Sequence, residues 1–133
     1  MGSSITIRLW GPRDRDAVQA LLSLLSADAY VVALDAPAYV AEADGQVMGM
    51  VTVCMFTTLT GRKAFVDHLV VAPEARRRGV ARLLMGHAIE VASSAGASRI
   101  DLTAGDSKAA ARELYGSLGF AERETGSFRL RLR

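Results

Sequence analysis

The stretch VVAPEARRRGVARLLM, Val70 to Met85, runs three adjacent arginines, Arg76 to Arg78, straight into Gly79. From Arg77 onward, Val80, Leu83, Leu84, Ala88, Val91 and Ala95 mark one face of a long helix, and Gly96 supplies its stop. A helix start leaves backbone N–H groups without partners and carries partial positive charge, so cations are the wrong sign there. Clustering arginines at that point is locally unfavourable and wants a compensating anion. Gly79 brings no Cβ to hold an anion away from the amides, and Ala81 is also small. The segment therefore reads as strand, tight turn and helix tip shaped for a pyrophosphate; the bland alternative is a solvated basic first turn.

Working outward, Ile5, Ile7 and Leu9 alternate with polar neighbours as in a half-buried strand, and Pro12 precedes a helix carrying Val18, Leu21, Leu22 and Leu25. Ser26 to Pro37 reads as a loop with a short second helix. Tyr39 to Glu42 and Val47 to Phe56 flank Asp44-Gly45, a hairpin signal because both residues tolerate positive φ. A turn near Thr60 to Arg62 leads to a strand, Ala64 to Val71, stopped by Pro73. After the long helix come a strand at Arg99 to Thr103, a helix from Ser107 to Leu118 with Ser107 as its expected N-cap and Gly119 as its stop, and two strands, Phe120 to Glu124 and Phe128 to Leu132. The order β-α-α-β-β-β-α-β-α-β-β predicts a mixed α/β fold, α+β-like in that its sheet is mostly antiparallel, in one domain over residues 1–133.

Composition narrows the class. At 133 residues, half of them hydrophobic, the chain can bury a core without metal or disulfide help, and no metal ligands are assigned. No apolar run approaches the roughly 20 residues of a membrane helix, and the N-terminus lacks a signal pattern, which points to the cytoplasm and away from membranes. Cys54, the one cysteine, lies in an apolar run and is expected to be a buried structural thiol. A net charge of +2 is too small to argue for nucleic acid, and no aromatic or second basic stripe accompanies Arg76 to Arg78.

The pattern Arg76-x-x-Gly79-x-Ala81 resembles the [Q/R]-x-x-G-x-[G/A] signature of the GNAT-type N-acetyltransferases, whose turn holds the pyrophosphate of acetyl-CoA. AAARELYGSLGF, residues 109–120, resembles the family's A-x-x-L-Y-x-x-L-G-F ending, and the element order resembles that fold from Ile5 to Leu132. The continuation LYGSLGFAERETGSFRL is similar to small stand-alone bacterial members. The resemblance implies a GNAT fold with splayed central strands and a bulge in the strand FVDHLVV. Backbone groups of Leu69, Val70 and Val71 would pair with the pantetheine arm, and an amide near Leu69 would polarise the thioester carbonyl. Arg77, Arg78, Gly79, Val80, Ala81 and Arg82 would hold the pyrophosphate.

The implied reaction is direct attack of a neutral amine on the thioester in a ternary complex, with no acetyl-enzyme and no metal. A lysine-like amine is neutral in only about one molecule in 2,500 at pH 7, so a base helps. Asp67 lies on the cleft strand and is the leading candidate; His68 is the other, since imidazole chemistry suits neutral pH, but adjacent strand residues face opposite ways and only one can serve. A water relay is a third route. Tyr115 matches the family tyrosine that donates a proton to the departing thiolate, a role that suits a phenol. Where relatives carry an Asn near the start of the last helix this chain has Lys108, and Thr103 stands where some place a Glu base. His87, on the apolar side of the long helix, is read as packing.

Two readings compete with acetyl transfer to an unspecified small amine or a protein amino group. One is a non-catalytic acyl-CoA-binding module, which would have no need of Tyr115; the other is a small nucleic-acid binder using Arg76 to Arg78. A homodimer is compatible with the resemblance, many relatives being dimers.

Overall fold

The structure is a computed structural model that describes residues 4–104 and 109–133. They form two compact units, one running to Thr103 and one from Ala104 to Arg133.

In the first unit, β1 (Thr6–Leu9), β2 (Ala38–Ala43), β3 (Gln46–Thr58), β4 (Gly61–Val71) and β5 (Ile100–Asp101) form one sheet in that order. Pairing is antiparallel from β1 through β4 and parallel between β4 and β5. Helix α1 (Arg15–Leu25) follows β1, and α2 (Val80–Ser94) provides the crossover between β4 and β5. The core is built from Val18, Leu21 and Leu22 of α1, Val80, Leu84, Met85 and Ala88 of α2, and sheet residues such as Val40, Met50, Val51 and Val53. Each of the larger side chains contributes about 1.5–3 kcal/mol by leaving water. No helix among the described residues is long and apolar enough to cross a membrane.

The turn chemistry is as the sequence predicts at three points. Asp44 and Gly45 take φ of +54° and +73°, the mirror-image geometry that matches strand twist. Gly96, at φ +86°, closes α2: its N–H donates to Ser93 and that of Ala97 to Ala92, satisfying otherwise open carbonyls. In the second unit, α3 (Ala109–Ser117) ends the same way, with Gly119 at φ +98° and the Phe120 N–H donating to the Tyr115 carbonyl at 3.0 Å.

Three expected elements differ. Residues 26–37 hold turns and no second helix; the Gln19 side chain binds Ala29 O and Val31 N–H, both at 2.8 Å, tying the segment to α1 in place of a helical ladder of its own. Helix α2 begins at Val80, because Arg77 and Gly79 take φ of +65° and +76°, outside the right-handed helical region. Among the described residues, 120–133 contain no strand. Phe128, Leu130 and Leu132 do alternate with arginines, but alternation specifies only a face; a strand also needs an edge to pair with, and α3 is the one regular element of that unit among the described residues. The expected cap Ser107 lies outside the described residues.

Candidate active site

The regular ladder breaks in β4. Met50 faces Val70 and Thr52 faces Asp67, so two steps along β3 match three along β4. The extra residue makes a β-bulge at His68–Leu69, and His68 takes φ +51°, a left-handed conformation in which histidine is enriched among non-glycine residues. This is the bulge that the family resemblance implies.

The bulge also corrects the expectation that only one of Asp67 and His68 can serve a site. Strict alternation would send their side chains to opposite faces, yet Nε2 of His68 lies 3.6 Å from Oδ2 of Asp67. The other carboxylate oxygen accepts the His68 backbone N–H at 2.8 Å. Both side chains are about half exposed, so solvent and a ligand can reach the pair. Thr52, a residue the sequence reading did not single out, completes the cluster. Its hydroxyl donates to the Asp67 carbonyl at 2.8 Å and lies 3.3 Å from Nδ1 of His68. The available signal was a lone polar residue inside the apolar run GMVTVCMF, but without the β3/β4 register nothing connected it to Asp67.

Beside the bulge the sheet opens. Pairing of β4 with β5 runs only through Ala64 with Ile100 and Phe65 with Asp101. Among the described residues Leu69, Val70 and Val71 have no partner on β5.

At the far end of β4 the chain turns through Pro73–Ala75 and the three exposed arginines into α2. Gly79 is the N-cap, with no side-chain hydrogen bond capping the helix. The first N–H groups of a helix, here those of Val80 and Ala81, have no intrahelical acceptor. A Cβ built on Gly79 would meet nothing within 4 Å, and the glycine itself brings no side chain to this turn. Its φ of +76° gives glycine a second reason to stand there. The arrangement fits an anion such as a diphosphate, with Arg77 and Arg78 as exposed rim charges.

Tyr115 belongs to the second unit, half-buried on α3, its ring edge-on to Phe120 at 6.0 Å. Burial pushes its phenol above the ordinary value, which favours the protonated form. His87 packs its ring against Tyr39 at 4.6 Å, the packing role expected of it. Cys54 is exposed rather than buried: its apolar neighbours in sequence are alternate strand residues facing the other side. Lys108 lies outside the described residues.

Mixed sheet, bulged fourth strand, open edge and glycine-capped helix tip define an acyltransferase scaffold. The chain belongs to the acetyltransferase (GNAT) family, whose sequence model it matches over residues 8–120. Human N-acetyltransferase 8 is 34% identical over 84 residues, 62% of this chain and 37% of that protein, so the chain spans little more than a third of that relative's length. Two solved structures share the fold. The aminoglycoside N-acetyltransferase AAC(6')-Iy in complex with CoA superposes with a TM-score of 0.82 at 19% identity, covering 100% of this chain and 98% of that one. The ribosomal-protein-alanine N-acetyltransferase from Brucella melitensis biovar Abortus 2308 gives 0.78 at 25% identity, covering 97% and 100%.

Proposed function

We propose that the protein transfers the acetyl group of acetyl-CoA to a primary amine of a small molecule by direct attack in a ternary complex. The reading rests on one observation: β4 and the start of α2, joined through residues 72–79, carry in sequence the open bulged edge and the uncapped helix tip. Acetyl-CoA is the co-substrate. The amides of Gly79, Val80 and Ala81, with the side chains of Arg77, Arg78 and Arg82, hold its diphosphate, and the β4 edge at Leu69 to Val71 pairs with the pantetheine amides. An amide near Leu69 polarises the thioester carbonyl.

The amine nitrogen attacks the carbonyl carbon, the Asp67–His68 pair accepts a proton, and the tetrahedral intermediate collapses with the C–S electron pair leaving on sulfur. Tyr115 protonates the thiolate and is reprotonated from solvent. A protein amino group is the second reading of the acceptor, favoured by the likeness to the ribosomal-protein-alanine enzyme. The test is thiol release from acetyl-CoA against a panel of small amines and peptides with free N-termini. Release that depends on a small amine supports the reading, release with peptides alone selects the second, and release with neither overturns acetyl transfer to amines.

A further inference from the structure

We propose that His68 is the proton acceptor, through Nε2, and that Thr52 is a positioning residue which fixes the imidazole in the Nδ1–H tautomer. This rests on the acetyl-transfer reading and assigns the base that reading leaves to a pair.

The assignment follows from counting protons. Thr52 has one hydroxyl hydrogen, and the Asp67 main-chain carbonyl, 2.8 Å away, can only accept it. The remaining contact, Thr52 Oγ1 to His68 Nδ1 at 3.3 Å, is then a hydrogen bond only if Nδ1 brings the proton. A neutral imidazole carrying its hydrogen on Nδ1 has its lone pair on Nε2. Nε2 is the nitrogen beside the Asp67 carboxylate, at 3.6 Å, so the anion attracts the imidazolium once a proton arrives. Asp67 is held for this task by the 2.8 Å bond that its other oxygen accepts from the His68 N–H.

The backbone agrees. A left-handed, non-glycine residue is strained and persists where its surroundings over-determine it, as at reactive sites; His68 at φ +51° sits in the bulge next to Leu69, where the thioester carbonyl would lie. Other titratable groups near the bulge are Cys54, two residues along β3 from Thr52, and Asp101 on β5, whose carboxylate is engaged by Arg99 at 3.1 Å. Neither has a hydrogen bond or ion pair to His68 among the described residues.

In the step, an ammonium acceptor gives one proton to Nε2, and the freed lone pair attacks the thioester carbon. After collapse the nitrogen gives its second surplus proton to solvent and His68 releases the first. With the thiolate taking the Tyr115 proton, one proton is produced per amide formed.

Two measurements test this. Nitrogen-15 chemical shifts of the neutral His68 ring, read on the folded protein without substrate, should show a protonated Nδ1 in the parent and in Thr52→Ser. The preference should be lost in Thr52→Val, which keeps the shape without the hydroxyl. A protonated Nε2 in the parent, or no response to Thr52→Val, overturns the tautomer assignment. The second measurement is the pH profile of kcat/KM for the best acceptor. His68→Ala should lower kcat/KM at neutral pH on the order of 10²-fold or more and remove the acid limb, while Asp67→Asn keeps that limb with a loss of about tenfold. An acid limb that survives His68→Ala and vanishes in Asp67→Asn makes Asp67 the base and sinks the proposal. If the parent shows no transfer to any amine while CoA still binds, the underlying reading fails, and the tautomer is decided by the spectra alone.

Discussion

Gly49 of β3 lies directly beneath Val80, the first residue of α2: a Cβ on Gly49 would stand 3.1 Å from Val80 Cγ1 and 3.0 Å from the Val70 carbonyl oxygen. The helix tip that offers its amides is thus seated on the strand pair by the lack of one methyl group. Gly49→Ala has no flexible neighbour to push against on the Val70 side, so strand and helix must part. It should cost about 1–3 kcal/mol in urea unfolding and weaken CoA binding in the folded variant. A variant with parent stability and parent affinity would show that the close seating has no bearing on the tip.

Gly79 answers to conformation rather than space. Its φ of +76° is strained for any side chain although nothing lies within 4 Å of the missing Cβ. Gly79→Ala should therefore lose about 1 kcal/mol of stability. Gly79→Val adds bulk over the amides and should weaken CoA binding beyond the loss seen with Ala, read by titration calorimetry on folded protein. Equal CoA affinity for parent and Val variant would remove the diphosphate from this position.

Much of this was legible in the sequence, and the reasons are local. Asp44-Gly45, Gly79, Gly96 and Gly119 mark turns because positive φ is a property of single residues. What escaped the sequence depends on pairing. Thr52 joins the site only through the shifted β3/β4 register, and Asp67 with His68 share a face only because β4 gains a residue there. The alternation rule misled at the same place, and again at Phe128, Leu130 and Leu132, where period alone does not say what covers a face; at Cys54 the error was to read a run of apolar residues as buried on both faces.

Tyr115→Phe keeps the ring and its contact with Phe120 while deleting the proton. As the acid for the departing thiolate, its loss should lower kcat on the order of 10²-fold with CoA affinity nearly kept. Because burial pushes the phenol up from its ordinary value near 10, the proton donor should persist through pH 9, and no alkaline loss from this group is expected below that point. Unchanged turnover with every active acceptor would dismiss Tyr115 as the donor.

The remaining prediction concerns the junction of β1 and α1. Arg8 donates to Asp14 at 2.8 and 2.9 Å and to Glu42 at 2.7 Å, and the Asp14 carboxylate also accepts the Gly11 N–H at 2.8 Å. The Arg8 hydrogen bond outweighs burial and holds the Asp14 carboxyl below its ordinary value, while the Arg8 guanidinium is raised by the same partner. A carboxyl depressed in the folded state contributes stability that is present above its unfolded pKa of about 3.9 and is lost as pH falls through the folded value. Asp14→Asn should therefore cost about 2 kcal/mol in urea unfolding at pH 7, less than a fully buried pair because Arg8 is a quarter exposed. The gap to the parent should narrow as both are measured toward pH 3. A gap that stays constant or widens in acid would mean that the charge of Asp14 contributes nothing to holding strand and helix together.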